Sequence, residues 1–167
     1  NNIILLNILG VIYLKKRIFK EAEPIFKKIL DQNSKDINAL KNLGEVYRKT
    51  NKLSLAIKYY EFYLTINPND NEVINNIASC HLKNKKYGLA ISYYRDLLKK
   101  DSQNEEYLTN LAFALIQSLY IEEGLEILEK VLDKNITHKR AYSGYLQNQN
   151  FNPKINFNKI NKYIKKF

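Results

Sequence analysis

A pattern recurs every 34 residues along this chain, and no other feature constrains the fold as tightly. Leu43-Gly44, followed by Tyr47, falls on Leu9-Gly10 and Tyr13, on Ile77-Ala78 and His81, and on Leu111-Ala112 and Leu115. In the second half of each unit, Ala56 and Tyr60 fall on Ala22 and Phe26, on Ala90 and Tyr94, and on Gly124 and Leu128. Four units follow without insertion, 3–36, 37–70, 71–104 and 105–138, so residues 1–138 read as one array.

The spacing within a unit is helical. Leu40, Leu43, Val46 and Tyr47 recur at offsets of three and four, which is one stripe of a helix. Only 5 Gly and 3 Pro are present, which disfavours short strands joined by Gly/Pro turns. Small residues at Gly44, Ala78 and Ala112, and at Ala22, Ala56, Ala90 and Gly124, mark where paired helices approach closely. Large residues four positions later, Phe26, Tyr60, Tyr94 and Leu128, fill the gap toward the next unit. Turns are expected at Lys15–Phe19, Lys49–Leu53, Lys83–Tyr87 and Gln117–Ile121. In Asn67-Pro68-Asn69, Pro is expected to end one helix and Asn to cap the next. Pro24 is expected early in a second helix, where a missing N–H is tolerated. Neither helix of a pair has an apolar face wide enough to stand alone, so each pair is completed by its neighbours.

Leu-Gly-x-x-Tyr, then Ala-x-x-x-Tyr, then Pro, at this period resembles the tetratricopeptide repeat. Unit 37–70 carries the pattern most fully, with Leu40, Leu43, Gly44, Tyr47, Ala56, Tyr60 and Pro68; Ser34, Ser102 and Ile136 replace the Pro elsewhere. The resemblance implies an all-α solenoid, a right-handed superhelix of antiparallel helix pairs. Its first helices would line a concave groove that takes a protein or peptide partner.

The expected groove residues follow from the register. Asn42, Asn76 and Asn110 each precede the Leu-Gly position, and Asn7 lies beside the equivalent Ile8. A carboxamide both donates and accepts, so a column of them can pair with an extended peptide backbone whatever its side chains. Lys41, Glu45, Asn75 and Lys83 are the expected neighbouring polar groups. A Lys/Asn/Arg clamp for a C-terminal carboxylate, known in some tetratricopeptide domains, is not expected. Lys41 would suit it, but Glu45 stands where Asn would be needed, and Glu72 and Glu106 add acids.

Other chemistries find no support in the residues. Cys80 aligns with Ile12, Val46 and Ala114, and His81 with tyrosines, so both read as core residues. His138 falls in a turn. One Cys and 2 His do not make a metal site, and no metal or cofactor is expected. There is no Gly-rich phosphate loop and no Ser elbow. Glu105-Glu106 and Glu122-Glu123 sit at helix starts, where acids suit the dipole. This chain is therefore read as having no catalysis of its own. The apolar run Ile3–Leu14 is too short to span a membrane, which takes roughly 20 residues. A single cysteine fits a reducing compartment, and a cytoplasmic location is expected. The chain begins Asn1-Asn2 rather than with Met, so it is expected to be a piece of a longer protein.

Residues 139–167 depart from the repeat. Ala141, Tyr142, Tyr145 and Leu146 open like a fifth first helix. Phe157, Ile160, Ile164 and Phe167 then read as the stripe of a capping helix with Lys on its other face. The formal charge is +10, and residues 139–167 hold Lys139, Arg140, Lys154, Lys159, Lys162, Lys165 and Lys166 with no acid. Such a tail also raises a basic RNA- or membrane-surface binder. Its aromatics fall on the apolar stripe, however, where packing uses them, so nucleic acid is not the expected partner. Ser143, Leu146, Asn150, Phe151 and Pro153 resemble the junction between repeats and catalytic region in SPINDLY-like O-linked N-acetylglucosamine transferases. That resemblance implies a non-catalytic repeat arm whose catalytic region lies downstream.

Overall fold

The computed structural model describes residues 2–148. Among them the chain forms nine helices and no strand: α1 (Ile3–Lys15), α2 (Phe19–Gln32), α3 (Ile37–Lys49), α4 (Leu53–Ile66), α5 (Asn71–Lys83), α6 (Tyr87–Lys100), α7 (Glu105–Gln117), α8 (Ile121–Lys134) and α9 (Lys139–Asn148). The 34-residue period of the sequence is the period of the helices. Odd helices start at Ile3, Ile37, Asn71, Glu105 and Lys139, and even ones at Phe19, Leu53, Tyr87 and Ile121. The fold is an all-α helical repeat.

The ends of the helices keep the same register. Asn2, Asp36, Asp70 and Asn104 each precede an odd helix, and each side chain accepts a backbone N–H of the first turn. Capping of this kind satisfies donors that the helix itself cannot. His138 does the same for α9, its Nδ1 accepting from Ala141 N–H at 3.2 Å. The cap of α5 is thus Asp70, not Asn69 as the Asn-Pro-Asn motif suggests. Asp70 is the last extended residue before the helix and reaches the N–H groups of both Glu72 and Val73. Pro24 also lies deeper than expected, well past the first turn of α2, so the Lys20 carbonyl loses its partner four residues on. Pro24 is exposed, which leaves that carbonyl to water.

Each odd-to-even turn contains one residue in the left-handed region: Arg17 (φ 61°), Asn51 (φ 60°), Lys85 (φ 58°) and Leu119 (φ 70°). A side chain pays steric strain in this region, least for Asn. The turn therefore comes from the backbone reversal between helices, not from glycine.

The chain divides into two compact units, one ending at Asn84 and the other beginning at Lys85. In the first, α2 packs against α1 and α3, and α4 against α3 and α5. Its interior holds Phe26, Ile29, Leu40, Leu43, Val46, Tyr60, Val73 and Ile77, all fully buried. In the second, α7 packs against α6 and α8, and α8 against α9. Ala112, Ile116, Leu125, Leu128, Val131, Leu132, Ala141 and Tyr145 form its core, and the Tyr145 hydroxyl donates to Glu129 at 2.6 Å.

The Phe157–Phe167 stripe and the lysines from Lys154 onward lie outside the described residues. The Ser143–Pro153 stretch is described only as far as Asn148, inside α9. Among the described residues, no helix is long and apolar enough to cross a membrane.

Candidate functional site: the face of α1 and α3

Side chains seven residues apart on one helix lie two turns apart on the same face. On α1 this face carries Ile8 and Lys15, with Asn7, Val11 and Ile12 beside them; on α3 it carries Asn38 and Asn42. Together they line an open hollow of about 420 Å³ in the first unit. Its lining mixes aliphatic side chains (Ile8, Val11, Ile12) with the carboxamides Asn7, Asn38 and Asn42 and with Lys15. Asn7 Oδ1 is buried and meets no donor. A buried acceptor left so costs about 1–3 kcal/mol.

The structure brings Asn7 and Asn42 into one hollow. Asn76 is half-buried on α5 of the same unit, next to half-buried Asn75. Asn110, on α7 of the second unit, is only 5% exposed. Asn38 joins the hollow although the sequence reading passed over it. The signal was present, since Asn38 lies one helical turn before Asn42 on the same stripe.

Two expected groove groups are occupied by the fold. Lys41 donates to Asp70 at 3.0 Å and Glu72 at 2.7 Å, tying α3 to the start of α5. Burial works against its charge, but Glu72 and Asp70 hold the ammonium above its ordinary pKa. Glu45 takes both ends of the Arg48 guanidinium at 2.7 Å and the Tyr60 hydroxyl at 2.9 Å, with Lys49 at 3.5 Å. Burial pushes the Glu45 carboxyl up, and Arg48 with Tyr60 more than offsets it, leaving it below its ordinary range. Burial and the neighbouring Glu45 charge push the Tyr60 phenol up.

Glu45 and Lys49 also border a second recess of about 390 Å³ with Leu14, Lys15, Arg17 and Phe19. Lys83 lines a separate one of about 380 Å³ near Asn51, Lys52 and Asn84. Cys80 and His81 are buried, as their core register requires, and burial pushes the Cys80 thiol up to about 11. A thiol so placed is not a nucleophile at neutral pH. Among the described residues, no group of three or more His, Cys, Asp and Glu could hold a metal ion.

Comparison with known proteins gives this helical array its description. Residues 37–70 match the tetratricopeptide repeat model, and residues 72–104 match a second model of that repeat. The chain carries two tetratricopeptide repeats. The first spans α3 and α4, so the carboxamide at Asn42 belongs to a recognised repeat. Solved tetratricopeptide structures share the fold. MamA 41-end from Desulfovibrio magneticus RS-1 superposes with a TM-score of 0.79 at 17% identity, over 86% of this chain and 81% of that one. A tetratricopeptide repeat protein from Parabacteroides merdae ATCC 43184 gives 0.79 at 19% identity, over 86% of this chain and 56% of that one. YrrB, described as a TPR protein with an unusual peptide-binding site, gives 0.72 at 25% identity, over 79% of this chain and 68% of that one. No curated protein matches the sequence.

Proposed function

We propose that this chain is a protein-interaction scaffold that holds an extended peptide on the face of its first helices. The observation that carries the reading is the hollow between α1 and α3, lined by Asn7, Asn38 and Asn42 together with the aliphatic Ile8, Val11 and Ile12. An extended backbone pairs with the carboxamides, and an apolar side chain packs on the aliphatic residues. Asn76, on α5 of the same unit, offers the next carboxamide of this register. The peptide-binding site named for YrrB is consistent with this use of the fold. Lys41 and Glu45 serve in this reading as braces of the wall, not as ligand contacts. The array itself is read as four units, 3–36, 37–70, 71–104 and 105–138, with α9 opening a fifth.

The test is selection of a random dodecapeptide display library on the immobilised chain, followed by titration of an enriched peptide. The Asn42→Ala/Asn76→Ala variant should lose most of the affinity. No enrichment, or unchanged binding by the variant, overturns the reading. The glycosyltransferase-arm reading rests on the sequence between Ser143 and Pro153 alone, and a catalytic region downstream of Phe167 is what would support it.

A further inference from the structure

α4 carries an apolar stripe that its packing within the unit leaves open. Leu55, Tyr59, Phe62 and Ile66 recur at offsets of four, three and four, which is one line along a helix. Leu55, Phe62 and Ile66 are 41%, 38% and 40% exposed. Tyr59 is half-buried, its ring 5.4 Å from that of Tyr47. The other even helices put charged or amide groups on these registers: Glu21, Lys28 and Gln32 on α2, Asp96 and Lys100 on α6, and Glu123, Lys130 and Lys134 on α8. The core face of α4, with Ala56, Tyr60 and Tyr63, is buried, and the helix packs on α3 and α5. Helices precede and follow α4 in the chain, so the open stripe does not arise from a chain end.

The stripe reads the same from either end. Its spacing is symmetric about a point midway between Tyr59 and Phe62, with the two aromatic residues inside and the two aliphatic ones outside. The charge beside it is balanced. Lys58 and Glu61 are both exposed, and among the described residues neither makes an ion pair. A patch with a symmetric order of side chains and one charge of each sign matches a copy of itself, which is what a two-fold interface requires. A strongly acidic or strongly basic partner would find no counterpart on it.

We infer that two copies of this chain dock through α4, with the two helices antiparallel across a two-fold axis. Leu55 packs on Ile66 of the second copy, and Tyr59 on Phe62 of the second copy. Lys58 falls on the same flank as Glu61 of the second copy, two residues or about 3 Å apart along the axis. α4 has 14 residues and is about 21 Å long. Contact along one such helix covers less than the standard interface of about 1,600 Å², so the dimer is weak and forms at high concentration. The carboxamides lie on α1, α3 and α5, and the inference does not depend on peptide binding there.

Sedimentation equilibrium of the full chain from about 10 μM to about 1 mM tests this. The weight-average mass should rise with concentration from 19.7 kDa toward twice that value. Phe62→Glu and, separately, Leu55→Glu should hold it at the monomer mass, and Asn42→Ala/Asn76→Ala should leave the rise unchanged. Both glutamate substitutions lie at exposed positions, and circular dichroism verifies the fold. Oxidation with copper phenanthroline reads the pairing. Leu55→Cys/Ile66→Cys should give a covalent dimer and neither single variant should, because identical positions lie about 16 Å apart along the axis. The native Cys80 is fully buried and serves as the silent background. A mass that stays constant over the whole range overturns the inference. So does a dimer that both glutamate variants retain, or cross-linking of the single variants as complete as that of the double.

Discussion

Tyr60 of α4 lies directly against Gly44 of α3: a Cβ built on Gly44 would stand 2.6 Å from the Tyr60 ring. Phe26 and Gly10 repeat the relationship one unit earlier, at 2.7 Å. The missing side chain lets each helix pair close over an aromatic ring. Gly44→Ala should therefore destabilise by about 1–3 kcal/mol, because the ring is fully buried and its hydroxyl is held by Glu45. Gly88, with nothing within 4 Å of its Cβ position, is the contrast. Gly88→Ala should be neutral or stabilise by up to about 1 kcal/mol. Urea denaturation of both variants checks the pair.

Leu119 holds the left-handed turn position at φ 70° with its side chain 83% exposed. It gains no burial to offset the strain of a Cβ in this region. Asn51, at the same place in an earlier turn, suits the conformation better. Leu119→Asn should raise stability by about 0.5–1 kcal/mol, seen as a higher melting temperature. An unchanged or lower midpoint would mean that Leu119 earns its place through a contact the geometry does not show.

Acid should loosen the first unit through Asp70. Burial disfavours its carboxylate, but Tyr63, Lys41 and the Val73 N–H outweigh this and hold its pKa below the ordinary value. A depressed folded pKa means stability that is complete above the unfolded value, about 3.9, and is lost as pH falls toward the folded one. Glu45 acts in the same direction. Stability measured from pH 6 down to about pH 3 should fall, and Asp70→Asn should flatten part of that slope while lowering stability at neutral pH. A slope identical in wild type and variant would remove Asp70 from the acid response.

Much of this was legible in the sequence. The fixed offset of Gly10, Gly44, Ala78 and Ala112 against Phe26, Tyr60, Tyr94 and Leu128 located the helix pairs and their turns, because a repeat that stacks on itself must keep its contact residues in register. The partners of polar groups were not legible. Lys41 meets Asp70 and Glu72 at separations of 29 and 31 residues, so its commitment to the fold depends on tertiary placement that no local motif encodes. Burial was legible only on average. Asn110 shares its register with Asn42, yet is nearly closed to solvent.

The most direct test is calorimetric titration of a selected dodecapeptide into the wild-type chain and the Asn42→Ala/Asn76→Ala variant. If the carboxamides hold the peptide backbone, the variant keeps its fold and its Kd rises by about tenfold or more, the loss expected for two hydrogen bonds. An affinity unchanged in the variant would contradict recognition through this face.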